Sequence, residues 1–222
     1  MVPAIFYCYD AYCGWCYGFS PVIYRIYEEY KDRFFFETLS GNMIPVEYTE
    51  PISKTAAYIS KAYKTVEEKT GIKFGEDYLW HINNPEQSDW FPNSEKPAIA
   101  MVVFKEFFPD RSVEFAKDLQ YALHFEGRDL TDDEAYRHLL KEYQIPEDLF
   151  YSKLKEDDSR HNAYMEFSMV KQLQVTGFPA VFMQVSDKKF YLLSRGFTSY
   201  EDLKQILENV ILELDKSQVS QT

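Results

Sequence analysis

The sequence predicts an α/β fold in which a βαβ opening and a ββα closing are separated by a long helical insertion. Three observations carry this. Two short apolar runs, Ala4 to Tyr9 and Phe34 to Leu39, flank a stretch with helical spacing. Two further β-prone runs, Ala180 to Val185 and Phe190 to Ser194, sit around Ser186-Asp187-Lys188-Lys189, a hairpin signal that precedes an amphipathic stretch. Between the two halves, residues 50 to 157 show mostly helical periods and capping residues. The expected organisation is therefore residues 1–49 and 158–222 as one domain, with 50–157 inserted into it.

The elements follow in order. Ala4 to Tyr9 is bounded by Pro3 and Asp10 and is short enough for a buried strand. Val22, Ile23, Ile26, Tyr27 and Tyr30 recur at helical spacing and end in Lys31-Asp32-Arg33. Phe34 to Leu39 is the second strand, closed by Ser40-Gly41-Asn42. A strand–helix–strand unit of this kind runs parallel with a right-handed crossover. In the insertion, Ser53 caps a helix through Glu68 with Gly71 as its stop, while Phe74 to Pro97 shows no period. Ser94 caps a helix to Phe108, broken by Pro109, and Arg111 to His124 resumes the pattern. Thr131-Asp132-Asp133-Glu134 reads as a capping box opening a helix through Tyr143, and Pro146 opens another at a first-turn position. Asp158 to Gln174 is a long helix, ended by Thr176-Gly177-Phe178-Pro179. Ser199 caps the last helix, whose apolar face runs from Leu203 to Leu214, and the polar tail from Lys216 is expected to fray.

Composition narrows the function classes. The net charge of −12 argues against binding a nucleic-acid backbone, which needs clustered Lys and Arg. No run approaches the length of a membrane span, and the N-terminal stretch lacks the basic start of a secretory signal. Three cysteines are too few for a disulfide scaffold. These features place the chain in a reducing cytoplasm, where a C-x-x-C is catalytic, redox-sensing or metal-binding rather than structural.

The chemistry centres on Cys13-Gly14-Trp15-Cys16. At the start of a helix, unpaired N–H groups and the positive end of the dipole favour a thiolate. Cys13, nearer the exposed end, is the expected nucleophile, and Cys16, one turn on, resolves the mixed disulfide. The competing readings are an inert buried pair or half of a zinc site. A closed zinc site needs four ligands, and only Cys8, His81, His124, His138 and His161 could add to it, without metal-site spacing. No metal is expected. Trp15 between the cysteines should be exposed and able to hold substrate. Trp80, Trp90 and Phe91 could wall the same groove or pack in the core. Far downstream, Phe178-Pro179 joins a helix end to a strand start. It reads either as a simple helix stop or as a cis-proline loop facing the dithiol, with the Phe178 backbone free to pair with an extended substrate. Asp10 is a candidate for proton transfer, against a plainer role in the turn that ends the strand. Cys8 is read as a packed thiol.

Together these motifs resemble the thioredoxin-fold DsbA family, and within it the cytoplasmic FrnE-like branch of predicted disulfide isomerases. Asp10 to Pro21 is similar to that branch's D-x-x-C-x-W-C-x-G-x-x-P. Pro92-Asn93-Ser94, Phe125 to Leu130 and Val175 to Ala180 resemble its P-N-S/T, F-x-E-G-x-D-L and V-x-G-x-P-x motifs. The resemblance spans residues 4 to 212. It implies a thioredoxin-like fold, a cis Pro179 opposite Cys13, and thiol–disulfide oxidoreductase or isomerase activity on thiol- or disulfide-containing proteins or small molecules. The redox-active disulfide would be the only cofactor. In one departure, many thioredoxin-like proteins carry a buried acid six residues before the nucleophile, where this chain has Tyr7. Two alternatives stand beside the enzyme: a non-catalytic adaptor for a protein partner, and a glutathione-dependent isomerase with glutathione as co-substrate. Cys16 counts against the latter, whose relatives typically have serine at the Cys13 position and no resolving thiol.

Overall fold

A computed structural model describes residues 3–219, with side chains through Lys216; of the tail expected to fray, Lys216 to Val219 instead continue the last helix, and the remainder lies outside the described residues. The strands are β1 (Ala4–Tyr9), β2 (Phe35–Ser40), β3 (Ala180–Ser186) and β4 (Lys189–Arg195). They form one sheet in the order β2-β1-β3-β4, with β1 parallel to β2 and antiparallel to β3, and β3 antiparallel to β4. The helix α1 (Gly14–Tyr30) makes the crossover from β1 to β2, and α9 (Tyr200–Val219) follows the hairpin. This βαβ plus ββα arrangement is the thioredoxin-like fold.

Alternation along β1 decides which face each residue serves. Ile5, Tyr7 and Tyr9 enter the large core against α1. Cys8 points the other way, into a smaller cluster with Leu39, Ala180, Phe182 and Val170. Val170 belongs to α8 (Asp157–Gln172), which covers that second face. The third thiol thus lies across the sheet from the dithiol.

α1 contains an interior proline, Pro21, which cannot donate to the Tyr17 carbonyl one turn back. The Ser20 hydroxyl takes that place, donating to the Tyr17 carbonyl at 2.8 Å. The helix therefore continues through the proline.

Among the described residues, 50–157 hold helices and turns only: α2 (Ser53–Thr70), α3 (Glu76–Asn83), α4 (Glu95–Phe107), α5 (Ser112–His124), α6 (Arg137–Glu142) and α7 (Glu147–Lys153). Their core is continuous with that of the sheet, since one cluster joins Ile5 and Tyr7 to Phe104, Phe115 and Phe150. α5 packs on α1, and α4 on α8. A partly buried ion cluster adds to this tie: Lys105 of α4 bonds Glu37 and the Thr38 carbonyl of β2, and reaches Glu166 of α8 at 2.8 Å.

Several local expectations are corrected. The unperiodic stretch hides α3, a helix of eight residues that starts from Gly75 without a side-chain cap. Ser53 is the first helical residue, not the cap, because the turn already begins at Ile52. Ser94 occupies its cap position but accepts no helix N–H; its hydroxyl oxygen accepts from the Ile44 N–H instead, at 3.0 Å. The capping box does not form. Thr131 donates to Asp129, and Asp132 accepts from the Glu134 N–H at the head of a short 3-10 turn. The end of α8 comes earlier than Thr176. Gln174 adopts φ 58°, and the N–H groups of Gln174 and Val175 close back on Lys171 and Val170. That is a left-handed helix stop made with glutamine in place of the usual glycine. Gly71 (φ 77°) and Ser199, which accepts from the Asp202 N–H at 3.1 Å, do stop and cap their helices.

Candidate active site

Cys13 is the N-cap of α1. Its backbone is extended, and its sulfur accepts the Cys16 N–H at 3.4 Å. The first turn carries no acidic residue to offset the helix dipole. Both cysteines are free thiols. Cys13 keeps 7% of its surface accessible and Cys16 none, so an external disulfide meets Cys13 first. Burial, then the hydrogen bond and charge of Cys13, push the Cys16 thiol well above the ordinary thiol range. Cys8, buried on the opposite face, is pushed up to about 12 by burial and then by the charge of Glu166. It is a poor thiolate where it stands.

The downstream loop meets the dithiol. The Cys13 thiol donates to the Phe178 carbonyl at 3.6 Å, across 165 residues of sequence. The Phe178–Pro179 peptide bond is cis, and Pro179 is buried just ahead of β3. The Gly196 N–H donates to the Pro179 carbonyl at 2.7 Å, which holds the loop to β4.

The Phe178 ring is seated over Gly41, at the end of β2. A Cβ at Gly41 would lie 2.1 Å from the ring's Cζ, so only glycine allows this approach. Gly41→Ala is expected to swing the ring away at a cost of about 1–3 kcal/mol. A double-mutant cycle with Phe178→Ala, read by urea denaturation, should be strongly non-additive. Additive effects would mean that the two residues do not constrain each other.

Asp10 sits beneath the loop before Cys13, fully buried. One carboxylate oxygen accepts the Tyr12 N–H at 3.0 Å and the other the Met43 N–H at 2.9 Å. It thereby joins the β1–α1 loop to the segment after β2. Burial raises its pKa from 3.8 to about 6, against the pull of those N–H groups and the Ser94 hydroxyl. Because the folded value exceeds the unfolded one, the native state binds the proton more tightly. The resulting stability is fully present below about pH 4 and is lost as pH rises to about 6, on the order of 3 kcal/mol in total. Asp10→Asn should remove that component of the pH dependence. A variant stability profile from about pH 4 to about pH 7 parallel to that of the parent would show that Asp10 does not carry it.

Two further residues serve the same loop from α5. Gln120 donates to the Asp10 carbonyl at 3.4 Å, and His124 Nε2 lies 3.1 Å from the Ala11 carbonyl. Burial lowers the His124 pKa to about 3, so the ring is neutral and its Nε2–H is the donor. The sequence offers His124 only as a poorly spaced zinc-ligand candidate and does not single out Gln120. Their separation of four residues on one helix face was the one available signal.

A cavity of about 1070 Å³ opens beside Cys13. It is walled by α2 and α8 and lined mostly by uncharged side chains, many of them aromatic, among them Tyr12, Trp15, Tyr58, Tyr63 and Phe178. Glu50 and Lys171 are the only Asp, Glu, Lys or Arg residues among its described lining residues. Trp15 is half-buried rather than exposed, because Phe197 covers it at a ring-centroid distance of 6.4 Å. Of the other aromatics considered for the groove, Trp90 lines it, whereas Trp80 and Phe91 are exposed outside it. Among the described residues no group of three or more His, Cys, Asp or Glu side chains is placed to hold a metal, and no helix is long and apolar enough to cross a membrane.

Comparison with known proteins agrees with this architecture. The chain is similar in fold to a structure described as a candidate protein disulfide isomerase from Nitrosomonas europaea, with 24% identity, a TM-score of 0.81, and coverage of 96% of this chain and 99% of that one. It is also similar to the cytosolic disulfide reductase DsbM from Pseudomonas aeruginosa, with 21% identity, a TM-score of 0.76, and coverage of 94% and 98%. No curated protein matches the sequence. The model of the DSBA-like thioredoxin domain matches residues 4–208, and the chain belongs to that family of thiol–disulfide oxidoreductases.

Proposed function

We propose that the chain performs thiol–disulfide exchange through Cys13 and Cys16 on disulfide-containing substrates in the cytoplasm. The observation that carries this is the Cys13 thiol at a helix start, 3.6 Å from the Phe178 carbonyl and open to a large cavity. The Cys13 thiolate attacks one sulfur of the substrate disulfide. That S–S bond breaks, the leaving thiolate takes up a proton, and a mixed disulfide remains. Cys16 then attacks the Cys13 sulfur, forming the Cys13–Cys16 disulfide and releasing the second substrate thiol. An external dithiol such as dithiothreitol restores the reduced pair.

The Phe178 carbonyl supports a substrate-positioning role. Once Cys13 loses its proton, that carbonyl is free to accept a substrate N–H, as in addition of a strand. Trp15, Phe178 and Pro179 would form the contact surface, and residues 50–157 the wall that selects what reaches the sulfurs. Asp10 is kept as a proton-transfer candidate through its charge on Cys16, although both its oxygens are held by backbone donors. Dithiothreitol-driven reduction of insulin by the purified chain tests the reading, and a rate no higher than that of dithiothreitol alone would exclude it.

One observation favours glutathione as the small-molecule partner: DsbM, similar in fold, has been solved with GSH. Calorimetry with glutathione on the reduced chain separates this from exchange on proteins alone.

A further inference from the structure

Tyr7 lies in the middle of β1 on the face that meets α1. Its ring packs against Tyr9 and Phe19, with ring centroids at 5.5 and 6.0 Å. Phe19 stands three residues after Cys16, on the same stripe of the helix. The ring therefore sits under the turn that carries the second thiol. Tyr7 is 1% exposed, and its hydroxyl has no hydrogen-bond partner. Phenylalanine would fill the same ring space without burying an unpaired polar group. Of the titratable groups around this hydroxyl, Cys16 and then Cys13 act on it most strongly, yet it makes no hydrogen bond to either sulfur.

Acid–base chemistry does not suit this phenol. Burial, then the charges of Cys16 and Cys13, push its pKa well above 10, so it keeps its proton throughout. A group that keeps its proton and has an unused O–H stands ready as a hydrogen-bond donor. A thiol is a weak acceptor, whereas hydrogen bonds to an ionised acceptor are much stronger. Cys16 has to become a thiolate in order to attack, and it is wholly buried. Deprotonation of Cys16 is the step most in need of a donor.

We propose that Tyr7 is a catalytic residue of the resolving step, donating its phenol O–H to the Cys16 thiolate as that thiolate forms and attacks the mixed disulfide. In this step the Cys16–Cys13 bond forms and the Cys13–substrate bond breaks. The two protein sulfurs are oxidised and the substrate sulfur is reduced. The proton lost by Cys16 ends on the departing substrate thiolate through solvent, and Tyr7 neither gains nor loses one. The inference rests on the exchange reaction proposed above.

The test is Tyr7→Phe in the reduced chain, mixed rapidly with a peptide disulfide bearing a fluorophore and a quencher on its two halves. Intact-protein mass after quenching counts mixed disulfide and fully oxidised chain separately. The expected result is that resolution slows about ten- to hundredfold relative to mixed-disulfide formation. The thermal midpoint should stay at or above that of the parent, since the lost hydroxyl was unpaired. Unchanged resolution overturns the proposal. So does equal slowing of both steps, or a variant that fails to fold, since either assigns Tyr7 a structural role. If the parent forms no mixed disulfide at all, it is the exchange reaction itself that fails.

Discussion

Replacing Cys13 with serine is expected to reduce dithiothreitol-driven insulin reduction to the uncatalysed rate while leaving the fold intact. Serine is a preferred N-cap residue, and its hydroxyl oxygen can accept the Cys16 N–H that the sulfur accepts now. The helix start should therefore change stability by no more than about 1 kcal/mol. The chemistry does not survive, because a hydroxyl without an adjacent base forms no nucleophile near neutral pH. His124, the buried histidine of this region, is committed to the Ala11 carbonyl. Cys16→Ser should behave differently: Cys13 still attacks, and the substrate stays attached as a mixed disulfide visible by intact mass. Full activity in Cys13→Ser, with a normal melting curve, would place the reaction elsewhere in the molecule.

What the sequence made legible follows from the range of the interactions. The βαβ opening, the hairpin and the dithiol at a helix start are written in local periods and short motifs, and each appears where expected. The meeting of Phe178 with Cys13 spans 165 residues; from the residues alone it is one of two readings of Phe178-Pro179, and the motif resemblance selects it. Helix ends were read less well where an unusual residue does the work. Gln144 and Gln174 take positive φ values of 56° and 58° in stops that normally signal themselves with glycine. α3 escaped because it has no cap and is followed by Pro85, so its period covers barely two turns. Trp15 was expected to be exposed because nothing near it in sequence covers it; Phe197 does, from the far side of the hairpin. The supports of the site were illegible for the same reason. Gln120 and His124 act on backbone carbonyls, which no side-chain pattern announces.

The partly buried cluster around Lys105 carries the other large expected effect. Lys105→Met should lower stability by about 3–5 kcal/mol in urea denaturation near neutral pH. The ammonium lies between Glu37 and Glu166 and also bonds the Thr38 carbonyl. Burial alone would lower the Lys105 pKa, but the two carboxylates raise it above its ordinary value. Glu37 is raised mainly by burial, with Lys105 opposing the shift. Without the cation, two carboxylates share a partly buried space, and Glu37, already raised by burial, should hold its proton still more tightly in the folded state. The variant's deficit should accordingly be largest near neutral pH and shrink as pH falls, the direction expected when the folded state gains proton affinity. A deficit below about 1 kcal/mol, or one independent of pH, would mean that the three side chains act separately. The consequence reaches the thiols through the backbone. Glu166 also accepts the Ser40 N–H at 2.9 Å, at the very end of β2. The next residue, Gly41, carries the Phe178 ring, and the Phe178 carbonyl faces Cys13. An ion cluster on the face of the sheet away from the dithiol thus fixes the strand end on which the substrate-facing loop is seated, so Lys105→Met should weaken exchange as well as stability.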